Sequence, residues 1–431
     1  MRQILISLCL LMMATASRAE LVVEVTQGVS EPSPVAVVPF GWSGSGALSE
    51  DVAKIVEQDL GRSGFFSTLP RESMLSFPTR EGDVYYRDWR VSGADYLLTG
   101  RIEPTADGQV KIDVGLYDVL KEQRIPLAND IVNSGSGQLR DAAHYISDQV
   151  FEALTGLKGA FSTRIVYIQA ERNGDQNNYK LQLADWDGAR PRTVMESNEP
   201  IMSPSWSRDG RKLAYVSFES GRPAIYVQYL TTGKRERIQS FPGLNGAPAW
   251  SPDGNQLALV LSKDGNPEIY VLNLASRQLQ RVTHHYAIDT EPTWAPDGKS
   301  ILFTSDRGGQ PQIYRLDLES RNLERLTWEG NYNARGRLTD DGRFLAMVHR
   351  PTGGNFTIAV QDLKSGRLDI LTEAGLEESP SIAPNGSIII YATKQNGRGV
   401  LSAVSLDGQV RFRMPSRSGD VREPAWSPYL H

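Results

Sequence analysis

The chain has little of what covalent stapling or soft-metal chemistry requires: one cysteine, Cys9, and five histidines among 431 residues. Cys9 lies in a leader-like stretch, so the chain that remains after processing offers no disulfide, thiolate ligand or thiol nucleophile and must be held by its cores. It also lacks a surplus of cations. Lys and Arg total 46 against 51 Asp and Glu, a net of −5, which leaves no excess to neutralise a phosphate backbone and argues against nucleic acid as a partner. Two catalytic signatures are missing as well. No Gly-x-Ser-x-Gly elbow occurs, Gly41-Trp-Ser-Gly-Ser45 failing at its fifth position, and no Gly-x-x-x-x-Gly-Lys-Ser/Thr phosphate loop is present.

Long hydrophobic runs are scarce too. The longest, Ile4 to Met13, follows Arg2 and precedes Ser17-Arg-Ala19. It is too short to span a bilayer, whereas the small residues at 17 and 19 suit a signal-peptide cleavage site, so residues 1–19 read as a cleaved export signal. Leu8 before Cys9 is too bulky for lipoprotein processing. Removing Arg2 and Arg18 leaves 44 Lys and Arg against 51 Asp and Glu, a net of −7. The expected product is an exported, soluble, mildly acidic protein without membrane insertion, bound metal or cofactor.

What is present divides at about residue 160. Before it, Val35 to Phe40 is a buried-strand candidate, and Leu48 to Leu60 carries Val52, Ile55, Val56 and Leu60 at helical spacing, with Ser49 as cap and Gly61 as stop. Tyr96 to Ile102 and Val110 to Tyr117 flank the hairpin signal Asp107-Gly108, and Leu139 to Leu154 places Ala142, Ile146, Val150 and Leu154 on one helical face. These elements predict a small α/β domain over 32–160.

After that point a ruler takes over: Trp206, Trp250, Trp294, Leu338, Ile382 and Trp426 lie 44 residues apart. The surrounding phrase is clearest as Pro248-Ala-Trp-Ser-Pro-Asp-Gly254 and Pro292-Thr-Trp-Ala-Pro-Asp-Gly298. A period in the 40s with strand patterning signals propeller blades. The sixth copy ends five residues after Trp426, whereas Arg164 to Met195 supplies strand material with no first strand before it. Joining the two completes a blade, so 161–431 is expected to form a six-bladed β-propeller closed by its C-terminal strand.

The repeated Asp209, Asp253, Asp297 and Asp341 read as turn residues rather than metal ligands, since Asn385 takes their place in the fifth copy. Asp185-Trp-Asp-Gly188 opens like a calcium loop but lacks the remaining ligands. His284 and His285 read as surface-loop residues, and His144, His349 and His431 form no evident constellation. Two binding elements stand out. The residue just before each repeated Pro or Gly is Ser203, Ala247, Glu291, Arg335, Ser379 or Glu423. This variable position in a fixed frame is assigned to loops on one rim, as a protein-binding face requires; plain solvated loops are the competing reading. The other is residues 20–31, short and β-prone, able to add as a strand to a partner's sheet or to its own domain.

Together, the leader, the 20–31 segment, the α/β domain and a propeller of Trp-Ser-Pro-Asp-Gly repeats ending in Pro424-Ala-Trp-Ser-Pro-Tyr-Leu430 resemble the TolB family of the Tol-Pal system. Asn245-Gly-Ala-Pro248, Asp289-Thr-Glu-Pro-Thr-Trp294 and Arg325-Leu-Thr-Trp-Glu-Gly330 carry the likeness most specifically. The resemblance implies a periplasmic protein of envelope integrity and cell division that binds the lipoprotein Pal over the propeller face, communicates with TolA through its N-terminal segment, and is exploited by colicins. Other outer-membrane proteins are further partners it would admit. Carried onto this chain, the Pal face comprises Asn245, Ala247, Thr290, Glu291, Arg335, Glu378, Arg422 and Glu423, and the TolA segment includes Glu20, Leu21, Val22, Val23, Glu24, Val25 and Thr26. Leu244 departs from the histidine of some relatives. The alternative is a periplasmic propeller hydrolase or lyase with a site at the channel mouth.

Overall fold

A computed structural model describes residues 31–430 apart from 175, 374 and 416–418. The leader, nearly all of the 20–31 segment with its Glu20 to Thr26 stretch, and His431 lie outside the described residues. Among those described, no helix is long and apolar enough to cross a membrane.

The N-terminal domain is a seven-stranded sheet in which Ser33–Val37 runs parallel to Phe66–Thr68 and Tyr96–Pro104, and the latter pairs antiparallel with Gln109–Asp118 through the Asp107-Gly108 turn. Strand alternation divides its apolar residues. Val35 and Val37 pack with helices α1 (Val52–Arg62) and α3 (Leu139–Thr155), while Ala36 and Val38 pack with Trp89 of the short helix α2 (Tyr86–Val91). Helix α1 begins later than expected. Asp51, not Ser49, is its cap, accepting the Lys54 amide at 2.9 Å, and Ser49 bonds instead to the Ser136 carbonyl. Gly61 does not stop the helix but lies in its last turn, one residue before Arg62.

Six four-stranded antiparallel sheets form the propeller, and the closing sheet combines Asp420–Trp426 with Arg164–Asn173, Gln176–Asp185 and Arg192–Ser197. The 44-residue ruler has a physical cause. Trp206, Trp250 and Trp294 each donate their indole N–H to a carbonyl in the innermost strand of the preceding blade, at Ala425, Ser205 and Ala249, over 3.1 to 3.3 Å. Leu338 and Ile382 keep the apolar contact without the donor. Turn chemistry accounts for the repeated Asp: Oδ1 of Asp209, Asp253, Asp297 and Asp341 accepts the amide two residues on, as does Asn385, and each following Gly is left-handed.

The two domains share one core. Phe151 and Phe161 meet edge to face, Phe161 contacts Trp186, and Trp186 stacks on Trp426 at 6.0 Å. Beneath this aromatic row lies a buried polar centre that overturns the expectation for His144. Asp59 of α1 accepts from Ser147 at 2.7 Å and from the Trp186 indole at 3.2 Å, and His144 Nδ1 lies 2.7 Å from the same carboxylate. Asp185 and Asp187 do face cations, but the cations are guanidinium groups: Arg140 pairs with both and Arg190 with Asp185. The connection between the domains is pinned as well, since Asp148 accepts the amides of Phe161 at 2.6 Å and Ser162 at 3.1 Å, and burial pushes its carboxyl up to about 6.

Removing Asp59 orphans two buried groups, the His144 and Trp186 rings, while Ser147 keeps its bond to the Ala143 carbonyl, so Asp59→Ala is expected to lower unfolding stability by about 3 kcal/mol in urea titrations. His144 makes part of that stability pH-dependent. Burial pulls its imidazole down, but the Asp59 carboxylate outweighs it with help from Asp187, and the pKa stands above the ordinary 6.5. The contribution is therefore complete below about pH 6.5 and is lost as pH rises through the elevated folded value. Urea titrations from pH 5 to 9 should show this alkaline loss in the wild type and not in His144→Asn.

Candidate functional site

The innermost strands Ile201–Trp206, Asn245–Trp250, Asp289–Trp294, Tyr332–Leu338, Glu378–Ile382 and Asp420–Trp426 surround a central channel with a cavity of about 320 Å³. Each carries a β-bulge where its register with the second strand shifts. At every bulge one residue adopts left-handed backbone: Ser203, Ala247, Glu291, Arg335, Ser379 and Glu423, with φ between 45° and 55°. These are the six variable residues assigned above to rim loops. That assignment is corrected: they sit within the strands, and the bulge presents them to the channel. The same geometry explains a restraint on their variation. None is β-branched, the class that tolerates positive φ least.

Three levels follow one another along the channel. At the bulge level, Arg335 Nε meets Glu291 Oε1 at 2.7 Å, its amide donates to Glu291 Oε2 at 3.2 Å, and its guanidinium also reaches the Ser379 hydroxyl. Thr304 donates to Glu291 at 3.0 Å. Across the ring, Glu423 accepts the Ser203 amide. Burial pulls the Arg335 guanidinium down, but Glu291, Glu423 and Glu378 together raise it. The Glu423 carboxyl is pushed up by burial, against Arg335. Arg337 occupies the second level, where the other blades carry Ser205, Ala249, Thr293, Ser381 and Ala425. At the third, Arg208 and Asp340 from opposite blades form a two-pronged ion pair, at 3.2 and 2.8 Å, across the far end.

That far end adjoins the N-terminal domain, because its turns contain Asn385, which donates to the Lys158 carbonyl, and its rim includes Tyr429, whose ring lies 4.1 Å from Lys158 Nζ. The opposite mouth is formed by the connections between blades. Large apolar side chains stand exposed in these connections: Tyr286 at 87%, Leu244, Ile288 and Leu376, whereas Trp328, 70% exposed, borders a separate pocket with Gly366 and Leu368 of the next blade. Several such residues around one opening exceed the scattered exposure expected of a monomer surface.

Of the eight residues assigned to the partner face, Ala247, Glu291, Arg335 and Glu423 line the channel. Thr290, Glu378 and Arg422 precede three of the bulge residues; Glu378 is exposed, while Thr290 and Arg422 are half-buried, Arg422 lying over the Tyr179 ring. Asn245 differs. It is buried, with its amide committed to Phe241 and Gly243, so it shapes its connection instead of offering a contact. His284 and His285 do lie in a blade connection. Sequence reasoning missed Arg208, Arg337, Asp340, Tyr286 and Trp328. The first three had a signal: they break the frame where other copies carry Pro or a small residue.

The family model described as the TolB beta propeller domain matches residues 151–430, and that of the TolB amino-terminal domain matches 21–125. The Tol-Pal system protein TolB of Pseudomonas aeruginosa is 59% identical over 424 residues, covering 98% of each chain. Its counterpart in Pseudomonas syringae pv. syringae is 57% identical over 432 residues, covering 100% of this chain and 99% of that one. The crystal structure of TolB from Acinetobacter baumannii superposes with a TM-score of 0.85 at 45% identity, over 94% of this chain and 98% of that one.

The Arg335–Glu291 pair yields a double-mutant test. Glu291→Gln strands a partly buried cation and is expected to cost about 1–2 kcal/mol in urea titrations, whereas Glu291→Gln combined with Arg335→Met is expected to cost less than the single change.

Proposed function

The chain belongs to the TolB family and is a component of the Tol-Pal system; on that premise we propose that it is a periplasmic docking protein which binds the lipoprotein Pal at the open channel mouth and TolA through residues 20–31, and so supports outer-membrane integrity and cell division. The observation that carries the Pal reading is the mouth itself: exposed Tyr286, Leu244 and Leu376 stand in the connections that lead into strands carrying a charged ring, which the Arg335–Glu291 pair holds in place. Apolar anchors around fixed charges are the composition of a protein-binding hot spot. Ala247, Thr290, Glu291, Arg335, Glu378, Arg422 and Glu423 then supply register and charge complementarity, while Asn245 acts through the shape of its connection. Among the described channel-lining residues there is no His, Cys or Lys, which favours docking over the hydrolase or lyase alternative. The TolA reading rests on the family resemblance, and colicins would compete for the same mouth.

Recovery of Pal from envelope extract by the tagged protein tests the proposal. Tyr286→Ala is expected to weaken capture by about 2 kcal/mol, roughly thirtyfold, and Glu291→Arg to weaken it further; wild-type capture by both variants would refute the mouth as the docking face. Deleting residues 20–31 should abolish TolA binding and leave Pal binding intact. If Pal and the segment bias one equilibrium, saturating Pal should lower TolA affinity. Equal TolA affinity with and without Pal would remove the coupling.

A further inference from the structure

The channel holds one cation that the protein does not pair. Arg337 forms no ion pair among the described residues, and its one hydrogen bond runs from Nη1 to the neighbouring Gly336 carbonyl at 3.0 Å. Its surroundings are costly for a charge. Burial pulls the guanidinium down to about 10, with Glu291 opposing and Arg335 reinforcing the shift, so it still carries its proton at neutral pH. By exposed area Arg337 is half-buried in the channel wall, and its guanidinium, with no carboxylate partner among the described residues, keeps most of its donors free for a ligand in the cavity.

The cavity around Arg337 runs from the six bulge residues to the Arg208–Asp340 pair beside the N-terminal domain, and the innermost strands with their prolines form its wall. The hydroxyl-bearing Ser203, Ser205 and Thr293 line the same cavity, whose volume is about 320 Å³. We propose that Arg337 is the anchor of a carboxylate-binding site inside the propeller channel.

The charge balance selects the ligand class. At the two inner levels Arg335 and Arg337 face Glu291 and Glu423, so the cavity is near neutral and tolerates one added negative charge better than two. A planar guanidinium also matches a carboxylate with two parallel hydrogen bonds. A phosphate dianion would meet Glu291 and Glu423 with twice the repulsion. The carboxylate comes either from a free small acid or from a Glu or Asp side chain projecting from a protein docked at the mouth. Only the second source connects to the docking function proposed above; the first stands without it.

Calorimetric titration of the full mature chain separates these cases, with 4-bromobenzoate as the free monocarboxylate, acetyl-Gly-Glu-Gly-amide as the side-chain mimic, and inorganic phosphate for comparison, all at constant ionic strength. Saturable binding of at least one carboxylate, with phosphate weaker, is expected. Tighter binding of the peptide assigns the site to a docked side chain, and tighter binding of bromobenzoate assigns it to a free acid. Arg337→Gln should weaken the bound carboxylate at least about tenfold, and Arg337→Lys, which keeps the charge but loses the fork, by an intermediate factor. Should Arg337→Gln fail to fold, the bromine position in crystals of wild-type protein grown with bromobenzoate gives the readout: anomalous scattering in the channel beside Arg337 upholds the site. No saturable binding of either carboxylate, undiminished binding by Arg337→Gln, or bromine only on the outer surface would overturn it. These outcomes are independent of Pal capture, so the two proposals fail separately.

Discussion

The structure depends on a contact between blades: an indole N–H reaching back to a backbone carbonyl in the preceding innermost strand. Trp206, Trp250 and Trp294 make it, and the Trp206 link spans the point where the chain closes, from the first blade to Ala425 near the C-terminus. Trp426 in the closing strand uses its indole differently, donating to Thr163 where the two domains join. A blade's own hydrogen bonds fix strands within a sheet, but only side chains fix one sheet against the next. Where the stitch is made it holds neighbouring innermost strands at a constant offset, and the Trp426 amide holds its strand to the preceding one through the Ser381 hydroxyl, so that bulges of successive blades fall at one height on the channel. The functional chemistry is thus a consequence of the packing repeat.

Much of this was legible in the sequence because the period of 44 residues survives wherever Trp, Pro and Asp-Gly are needed for construction. Blade number and closure follow from where the copies begin and end. The α/β domain was visible through its helical and hairpin spacing, although the choice between Ser49 and Asp51 as cap depended on where the preceding chain ran. The bulges were not legible. Two residues opposing one on the neighbouring strand leave no compositional mark unless glycine supplies the left-handed conformation, and here Ser, Ala, Glu and Arg adopt it. Arg337, Arg208 and Asp340 were visible only as departures from the frame, and a frame directs attention to what repeats. Tyr286 and Trp328 lie in connections that keep the period of 44 from Thr283 to Thr327 but repeat no residue type between them, so nothing in the pattern marks their exposure.

The junction between the domains illustrates a similar limit. Asp59 and His144 are 85 residues apart, and Trp186 comes from a third segment, yet the three meet at one buried carboxylate. Four aspartates, Asp59, Asp141, Asp185 and Asp187, are matched there by Arg140, Arg164, Arg190 and His144. Shared aromatic packing and these ion pairs hold the domains as one body at this contact. The open mouth lies at the other end of the channel from it, so a partner seated there would approach the propeller without displacing the junction.

Whether the mouth opposite the N-terminal domain is the docking face is decided by hydrogen–deuterium exchange of the protein alone and in complex with Pal. Docking at the mouth should bring new protection to the blade connections at residues 240–245, 283–289 and 327–333 and to the bulge residues behind them. Protection confined to the outer strands or to the N-terminal domain, with those connections exchanging as in the free protein, would contradict it.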